Sequence, residues 1–292
     1  MERSVTQHRE LKSESNSGES NAGKFDSDPI PLSFLSFLRS LRFARNDELK
    51  RSSTLTPSDS NLMTDLPTRR TIRTIRSFVR REGRMTEAQR RALEQYWPRY
   101  GVDVAGPLKL AAIFDRPAPC IVEIGFGMGD TLIEMARCHP DNNYLGIEVY
   151  RPGIGSVLRQ LDAADMHNVR VIAGDAMEVL RNALADASLD AIHVFFPDPW
   201  PKKRHHKRRI IQPDSVALFA RKLRPGGLLH LATDWQEYAQ HMLAVMTAEP
   251  ALVNRAGDGG FSERPAYRPL TKFEQRGQRL GHQVRDLILE RR

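Results

Sequence analysis

The sequence predicts an α/β fold in which helices cover both faces of a parallel sheet. Beyond residue 119, short apolar runs alternate with amphipathic stretches at helical spacing. The apolar runs are continuous rather than alternating, as in strands that are buried on both faces. With 292 residues, the chain is long enough to bury a sizeable core.

Each element of this pattern has a candidate segment. The strand candidates are 120–124, 144–147, 169–173, 191–196 and 228–232, and the helix candidates are 131–138, 155–164, 177–184 and 215–223. A last apolar run, 284–290, is typical of an edge strand. Parallel sheets of this kind bind ligands beyond the carboxyl ends of their strands. We therefore expect the chemistry to lie there.

Cysteine content and hydropathy exclude several classes of protein. The two cysteines, Cys120 and Cys138, form no CxxC motif and no zinc-type spacing with histidine, which argues against a disulfide scaffold or a structural zinc site. No apolar run approaches the roughly 20 residues of a membrane span. The best candidate, 30–38, contains two serines and begins too late for a signal peptide. We expect a cytoplasmic protein without membrane contact.

The charge is unevenly distributed along the chain. There are 44 Lys and Arg against 36 Asp and Glu, a formal net charge of +8, while residues 1–62 carry nine basic and nine acidic side chains. The surplus therefore belongs to 63–292, which favours a polyanionic partner for this part. Residues 1–62 are expected to be a disordered extension with one short amphipathic helix at 32–43, or to precede a native start at Met63.

The folded domain is expected at 63–292, with a basic N-terminal segment at 63–110. Between Arg69 and Arg99 there are ten arginines, three glutamates and no lysine. Ile72, Ile75 and Val79 form a helical stripe among these arginines. The stretch is either a solvated helix face or a nucleic-acid contact, since the planar guanidinium suits phosphate.

A glycine-rich turn and four carboxylates follow the predicted strands. Gly125, Gly127 and Gly129 allow a tight turn and a close approach of ligand to backbone, but Asp130 stands where a dinucleotide fingerprint needs glycine. The carboxylates at four successive strand ends are Glu123, Glu148, Asp175 and Asp198. Each alone is commonly a helix cap, whereas together they suit a cationic ligand. One after the second strand can accept ribose hydroxyls, and one after the third can meet an adenine amino group. This favours the sulfonium cofactor S-adenosylmethionine over NAD.

A stiff turn and a run of cations follow the fourth strand. The PDPW turn (197–200) presents Asp198 between two prolines, and Trp200 either stacks on a base or packs against the sheet edge. The basic run (202–209) has six cations and two histidines in eight residues. We expect it to bind a nucleic-acid backbone, and two histidines without further ligands do not indicate a metal site.

These motifs occur in a recognisable order. They are SFVRREGRMT (77–86), EIGFGMG (123–129), GIEVY (146–150), GDA (174–176), FFPDPWPKKRHHKRR (195–209), TDW (233–235) and TKFEQRGQRLG (271–281). Together they resemble the bacterial tRNA (guanine-N7-)-methyltransferase family over residues 69–292. The resemblance implies a Rossmann-like class I methyltransferase fold with a seven-stranded, mostly parallel sheet. It also implies methyl transfer from S-adenosylmethionine to N7 of guanine 46 in the variable loop of tRNA.

The resemblance implies a role for particular residues. Asp198 would be catalytic and, with Glu123, Gly125, Glu148 and Asp175, would bind the cofactor. The substrate-binding positions would be Lys202, Asp234, Thr271, Lys272, Phe273 and Glu274. The RNA contacts would be Arg204, His205, His206, Lys207, Arg208 and Arg209. We expect tRNA as partner, with no metal and no obligate protein partner.

Three other functions compete with this one. One is another RNA methyltransferase, but an adenine-amino enzyme more often has an Asn/Asp-Pro-Pro-aromatic turn than PDPW. A non-catalytic RNA-binding module need not keep EIGFGMG, Glu148, Asp175 and Asp198. An NAD oxidoreductase conflicts with Asp130 and with the acidic strand ends.

Overall fold

The structure is a computed structural model that describes residues 76–78, 83–257, 260–279 and 281–292. For Lys272, Phe273 and Arg276 in the last helix, the structure describes the backbone alone. The predicted extension 1–62, with its helix at 32–43, lies outside the described residues. So does the predicted stripe of Ile72, Ile75 and Val79.

In the described part of the chain, seven strands form one mixed sheet. They are β1 (Cys120–Ile124), β2 (Asn143–Glu148), β3 (Val169–Ala173), β4 (Leu189–Phe195), β5 (Leu223–Thr233), β6 (Leu252–Asn254) and β7 (Arg285–Arg291). The order across the sheet is β3-β2-β1-β4-β5-β7-β6. Strands β1 to β5 pair in parallel, and β7 is antiparallel to both β5 and β6. The predicted α/β class with a seven-stranded, mostly parallel sheet is confirmed.

Helices precede and connect these strands. They are α1 (Glu87–Gln95), α2 (Trp97–Tyr100), α3 (Leu110–Phe114), α4 (Asp130–Cys138), α5 (Arg151–Ala163), α6 (Ala176–Asn182), α7 (Pro213–Lys222), α8 (Gln236–Thr247) and α9 (Lys272–Arg279). A 3-10 helix at Lys203–Arg208, here called the basic helix, follows the PDPW turn. Among the described residues, no helix is long and apolar enough to cross a membrane.

The chain order places a switch point between β1 and β4. From β1 the chain proceeds outward through β2 to β3, and it then crosses back to β4 on the other side of β1. All five residues of β1 are buried, as the continuous apolar run predicts. The carboxyl ends of β1 and β4 therefore border the crevice where open α/β sheets bind ligands.

The first helix packs closely on the domain. Thr86 and Gln89 form a capping box, in which Thr86 Oγ1 accepts from Gln89 N at 3.2 Å and Gln89 Oε1 accepts from Thr86 N at 2.9 Å. Helix α1 contacts α5 so closely that a Cβ on Gly155 would lie 2.6 Å from Gln89 O. Arg90 and Arg91 face solvent while Ala92 and Leu93 are buried, and Glu87 forms ion pairs with both arginines, so this part of the arginine-rich stretch is a solvated face of balanced charge.

One predicted position in the sheet is wrong. The C-terminal run forms β7, but β7 is not an edge strand, because it pairs with β5 on one side and with β6 on the other. The edge is β6, whose three residues carry no hydrophobic period by which a sequence pattern reveals a strand.

Candidate active site

Three glycines shape the turn between β1 and α4. Gly125, Gly127 and Gly129 have φ of 74°, 58° and 86°, in the left-handed region that favours glycine. A Cβ on Gly129 would lie 2.0 Å from Val157 Cγ2, so this glycine is needed for packing. A Cβ on Gly125 or Gly127 would meet nothing within 4 Å. The turn therefore borders open space that a ligand can approach.

Glu148 fixes this turn from the end of β2. Its Oε2 accepts from Gly127 N at 2.8 Å, and its Oε1 accepts from Val149 N and Tyr150 N at 2.6 and 2.9 Å. A carboxylate offers about four acceptor positions, and backbone groups use three of them here. Glu148 thus supports the predicted cofactor site structurally and retains room for about one further hydrogen bond.

The strand-end carboxylates Glu123, Glu148, Asp175 and Asp198 form what is here called the acidic rim, and Glu123 is buried at its centre. It lies in β1 between Gly146 of β2 and His193 of β4, and its Oε2 has no hydrogen-bond partner. Burial, and secondarily the charge of Glu148, raises the pKa of Glu123 to about 8. A cation or a hydrogen-bond donor placed here would satisfy this oxygen. The residues present therefore fit a cationic cofactor.

Asp175 performs the simpler role of a helix cap. Its Oδ1 accepts from Met177 N at 2.9 Å, and it is the N-cap of α6. The side chain lies at the carboxyl end of β3, half-buried beside the rim. Its predicted contact with an adenine amino group stays a prediction.

The PDPW turn holds Asp198 on the surface after β4. Asp198 is exposed, and its Oδ1 accepts from Trp200 N at 3.1 Å. The residues that flank the Pro-Asp-Pro segment, Phe196 and Trp200, have φ of 49° and 45°. Such backbone angles in bulky residues cost about 1–3 kcal/mol each and persist only where surrounding contacts fix them. The turn is therefore strained and fixed, as an active-site turn often is.

Trp200 packs against the protein rather than presenting its ring to a base. It is buried, and its Nε1 donates to the Ser77 carbonyl at 3.3 Å. The Arg208 guanidinium lies 4.9 Å from the centre of its ring, and the His205 ring meets it edge-on. Of the two interpretations from sequence, the structure has the packing one.

The basic run divides into outward and inward side chains. Lys202, Lys203, Arg204 and Lys207 are exposed, whereas His205, His206 and Arg208 are half-buried. Burial, reinforced by the neighbouring cations, lowers the pKa of His205, so its ring stays neutral at pH 7. Within the described residues, no group of three or more His, Cys, Asp or Glu could hold a metal ion.

Arg209 differs from the prediction that it contacts RNA. Its side chain is only 1% exposed, and it pairs with Glu237 of α8. A guanidinium that is enclosed in this way cannot reach an RNA phosphate without breaking its ion pair. The sequence could not distinguish it from Arg208, because neighbouring residues of one basic run differ only in the direction that the folded backbone gives them.

Apart from the exposed Lys202, which directly precedes the basic helix, the predicted substrate residues come from two segments next to β5. Asp234 follows β5 and has Oδ2 3.5 Å from His282 Nδ1. Thr271 directly precedes α9, and its Oγ1 accepts from Glu274 N at 3.1 Å. Lys272 and Phe273 lie in the first turn of α9.

Glu274 is buried and paired inside the protein. Its two oxygens accept from Arg268 at 2.6 and 2.9 Å, and Arg268 also donates to both oxygens of Asp286 in β7, at 2.7 and 2.9 Å. A direct contact of Glu274 with guanine stays a prediction. In the structure this carboxylate secures the beginning of α9 against the sheet.

Sequence reasoning missed the buried cluster around Arg268. The cluster consists of Arg268, Glu274, Asp286 and His230, and Tyr267 borders it. Burial raises the pKa of Asp286, but hydrogen bonds from His230 and Arg268 outweigh this effect and lower it. Since a charged Asp286 can only accept, His230 donates to it through Nε2, and because burial lowers the pKa of His230, the neutral ring accepts from Tyr267 through Nδ1. A signal was available, since a charged Asp286 inside an apolar strand demands a buried partner.

Comparison with known proteins shows the family to which the chain belongs. A family described as "Putative methyltransferase" matches residues 117–287. Proteins named tRNA (guanine-N(7)-)-methyltransferase are similar to most of the chain. The one from Nitrosococcus oceani is 57% identical over 75% of this chain and 92% of its own length. Those from Pseudomonas aeruginosa and Nitrosospira multiformis are 55% and 54% identical, over 76% and 75% of this chain and 91% and 96% of their own lengths. The chain therefore belongs to the tRNA (guanine-N(7)-)-methyltransferase family.

Proposed function

We propose that this methyltransferase transfers a methyl group from S-adenosylmethionine to N7 of guanine 46 in the variable loop of tRNA. The names of relatives that are 54–57% identical support the reaction. The observation that carries the proposal is that the PDPW turn, which exposes the Asp198 carboxylate, is followed along the chain by the basic helix. One surface therefore offers both an RNA-binding face and an acceptor for the reacting base.

The acidic rim is suited to the cofactor. Bound S-adenosylmethionine would supply a methyl group carried by a sulfonium cation. Open space over Gly125 and Gly127 gives room for a ligand, and the unpaired Glu123 Oε2 gives it a buried acceptor. A cation near Glu123 stabilises the ionised carboxylate, which burial alone disfavours.

Asp198 is the residue best placed to act on the guanine. N7 of neutral guanine has a lone pair and no proton, so its attack on a methyl group requires no general base. The base gains positive charge as the bond forms, and a fixed carboxylate nearby stabilises that charge. Because the PDPW turn is already rigid, little reorganisation is needed when the substrate binds.

The remaining predicted residues would hold the base and the RNA around it. Asp234 and Thr271 lie at the end of β5 and the beginning of α9, beside the rim. The exposed Lys202, Lys203, Arg204 and Lys207 would bind phosphates, while the target base leaves its stack to reach the site.

Methyl transfer to unmodified tRNA tests this proposal. The protein is incubated with S-adenosylmethionine labelled in its methyl group and with a tRNA transcript, and the product is digested to nucleosides. We expect the label in 7-methylguanosine, and none in a transcript that carries adenine at position 46. Label in another nucleoside, or equal label in both transcripts, would contradict the proposal.

A further inference from the structure

We propose that Arg209 is a positioning residue that holds the PDPW turn, and with it Asp198, in the geometry needed for methyl transfer. The inference rests on the proposed function, because it assigns Arg209 a part in that reaction. It also replaces the expectation that Arg209 binds RNA together with the rest of the basic run.

The contacts of Arg209 connect three elements. Its Nε donates to the Pro199 carbonyl at 2.9 Å, and its two terminal nitrogens donate to the two oxygens of Glu237 in α8. The guanidinium also lies 4.7 Å from the centre of the Tyr238 ring. A planar group that is held from several directions has little freedom to move, so it can transmit the position of α8 to the turn.

The turn needs such an external support. Pro197 and Pro199 have no backbone N–H, so the turn on either side of Asp198 can be held mainly through its carbonyl groups. Phe196 N donates to the Ala232 carbonyl at 2.8 Å and secures the turn at its beginning. Arg209 secures the carbonyl that directly follows Asp198. A shift of Pro199 would carry the Asp198 carboxylate with it.

Arg209 also ends the basic helix. Its backbone N donates to the His206 carbonyl at 3.0 Å, and its guanidinium lies 3.1 Å from His206 Nε2. The exposed cations of the basic helix and the Asp198 carboxylate therefore share one buried support. RNA bound on the outside of the helix would meet a carboxylate whose distance from the helix is fixed.

Steady-state kinetics separate this role from an RNA contact. Arg209→Lys keeps a cation for Glu237 but loses the planar donor set that reaches Pro199 and Glu237 together. We expect kcat to fall by about 10- to 100-fold, because small misplacements of reacting groups have effects of this size. The KM for tRNA, its salt dependence and the Kd for S-adenosylmethionine should stay within about twofold of the wild-type values, because Arg209→Lys keeps the exposed cations and the backbone hydrogen bond to His206 that ends the basic helix.

The exposed Lys207 of the same helix provides the matched comparison. Lys207→Ala should show the opposite pattern, with its loss in the KM for tRNA and a shallower salt dependence. Arg209→Lys would overturn the proposal if it showed that second pattern, or if its kcat were within twofold of wild type.

A second variant decides the matter if Arg209→Lys does not fold. Glu237 is an exposed side chain, and Glu237→Gln removes the negative charge that holds Arg209. We expect kcat to fall about 3- to 10-fold, with the KM for tRNA unchanged. An unchanged kcat would overturn the proposal. Nucleoside analysis of the wild-type product distinguishes this failure from that of the proposed function. A different methylated nucleoside would refute the function, and the kcat ratios would still decide the role of Arg209.

Discussion

The Asp198 side chain is exposed in a turn whose backbone is held on both sides, so its carboxylate can be removed without disturbing the core. Asp198→Asn keeps an oxygen to accept from Trp200 N and removes the charge. We expect kcat to fall by about 10²- to 10³-fold, because electrostatic stabilisation of the reacting centre is lost. The thermal unfolding temperature should stay within about 2 °C of wild type.

An exposed aspartate elsewhere provides the control for this change. Asp141 lies between α4 and β2, at the end of the sheet away from the PDPW turn. Asp141→Asn removes the same charge, and we expect wild-type turnover. Equal kcat values for the two variants would show that Asp198 has no special part in the reaction.

The raised pKa of Glu123 should make the stability of the cofactor-free protein depend on pH. Its folded-state pKa of about 8 lies above the unfolded value of about 4.3. The stability that this group contributes is therefore complete below the unfolded pKa and is lost as pH rises through the folded pKa. Glu123→Gln does not ionise, so its unfolding temperature should fall less than that of wild type between pH 5 and pH 9. Parallel curves for the two proteins would contradict the assignment.

At the scale of single residues, the positions of the strand-end carboxylates could be predicted from sequence, whereas the direction of Arg209 could not. Glu123, Glu148, Asp175 and Asp198 all lie at strand ends, as the pattern indicates, because strand ends follow from hydrophobic runs. The inward direction of Arg209 depends on how the basic helix meets α8, and such a tertiary contact leaves no local signal. The same applies to most contacts between segments that are distant in sequence.

The basic helix is the element that should bind the RNA backbone. Its exposed Lys203 and Lys207 can each neutralise a phosphate. Replacing both by alanine should reduce the slope of log K against log salt by about 1.4–1.8, since each lost phosphate contact contributes about 0.7–0.9. The measurement is tRNA affinity by filter binding between about 50 and 200 mM salt.

A pair of arginines with the same net charge provides the comparison. Arg181 and Arg221 are exposed near the carboxyl ends of α6 and α7, at the opposite end of the sheet. Replacing both by alanine should leave the slope unchanged. If both double variants changed the slope equally, the binding would follow overall charge rather than the basic helix.

The Arg268 cluster predicts that α9 depends on a buried ion network for its position. Arg268→Met would leave Glu274 buried without its ion pair and Asp286 with only the hydrogen bond from His230, and we expect a loss of about 3–5 kcal/mol in the free energy of unfolding. Arg224→Met removes an ion pair whose arginine side chain is 55% exposed, and it should cost less than about 1 kcal/mol. Urea denaturation measures both values, and equal losses would contradict the structural role of the cluster.

At the scale of elements, long apolar runs were predictable and short or irregular segments were not. The five predicted strands became β1 to β5, with β5 beginning earlier, at Leu223. Strand β6 has three residues and gains its strand geometry from pairing with β7. The interior position of β7 therefore could not follow from its own sequence, because it depends on a partner with no recognisable pattern.

At the scale of the whole molecule, the net charge of +8 is the sum of two neighbouring surfaces of opposite charge and the residues around them. The carboxyl ends of the strands form an acidic rim that fits a cationic cofactor, and the exposed cations beside it fit an RNA backbone. The sequence predicted both. The structure adds that Arg209 of the basic run and Glu274 of the TKFE segment are buried. Arg209 pairs with the exposed Glu237 and Glu274 with the buried Arg268, so these charges support the site from inside the protein.

The most direct test of the proposed reaction compares two tRNAs that differ at a single ring atom. One carries guanine at position 46 and the other 7-deazaguanine, in which a C–H replaces N7 and its lone pair. The measurement is the initial rate of methyl transfer from labelled S-adenosylmethionine, with binding of both tRNAs confirmed separately. We predict that both bind and that only the guanine tRNA is methylated. Equal methylation of the two tRNAs would contradict the account, because the accepted methyl group would then not be on N7.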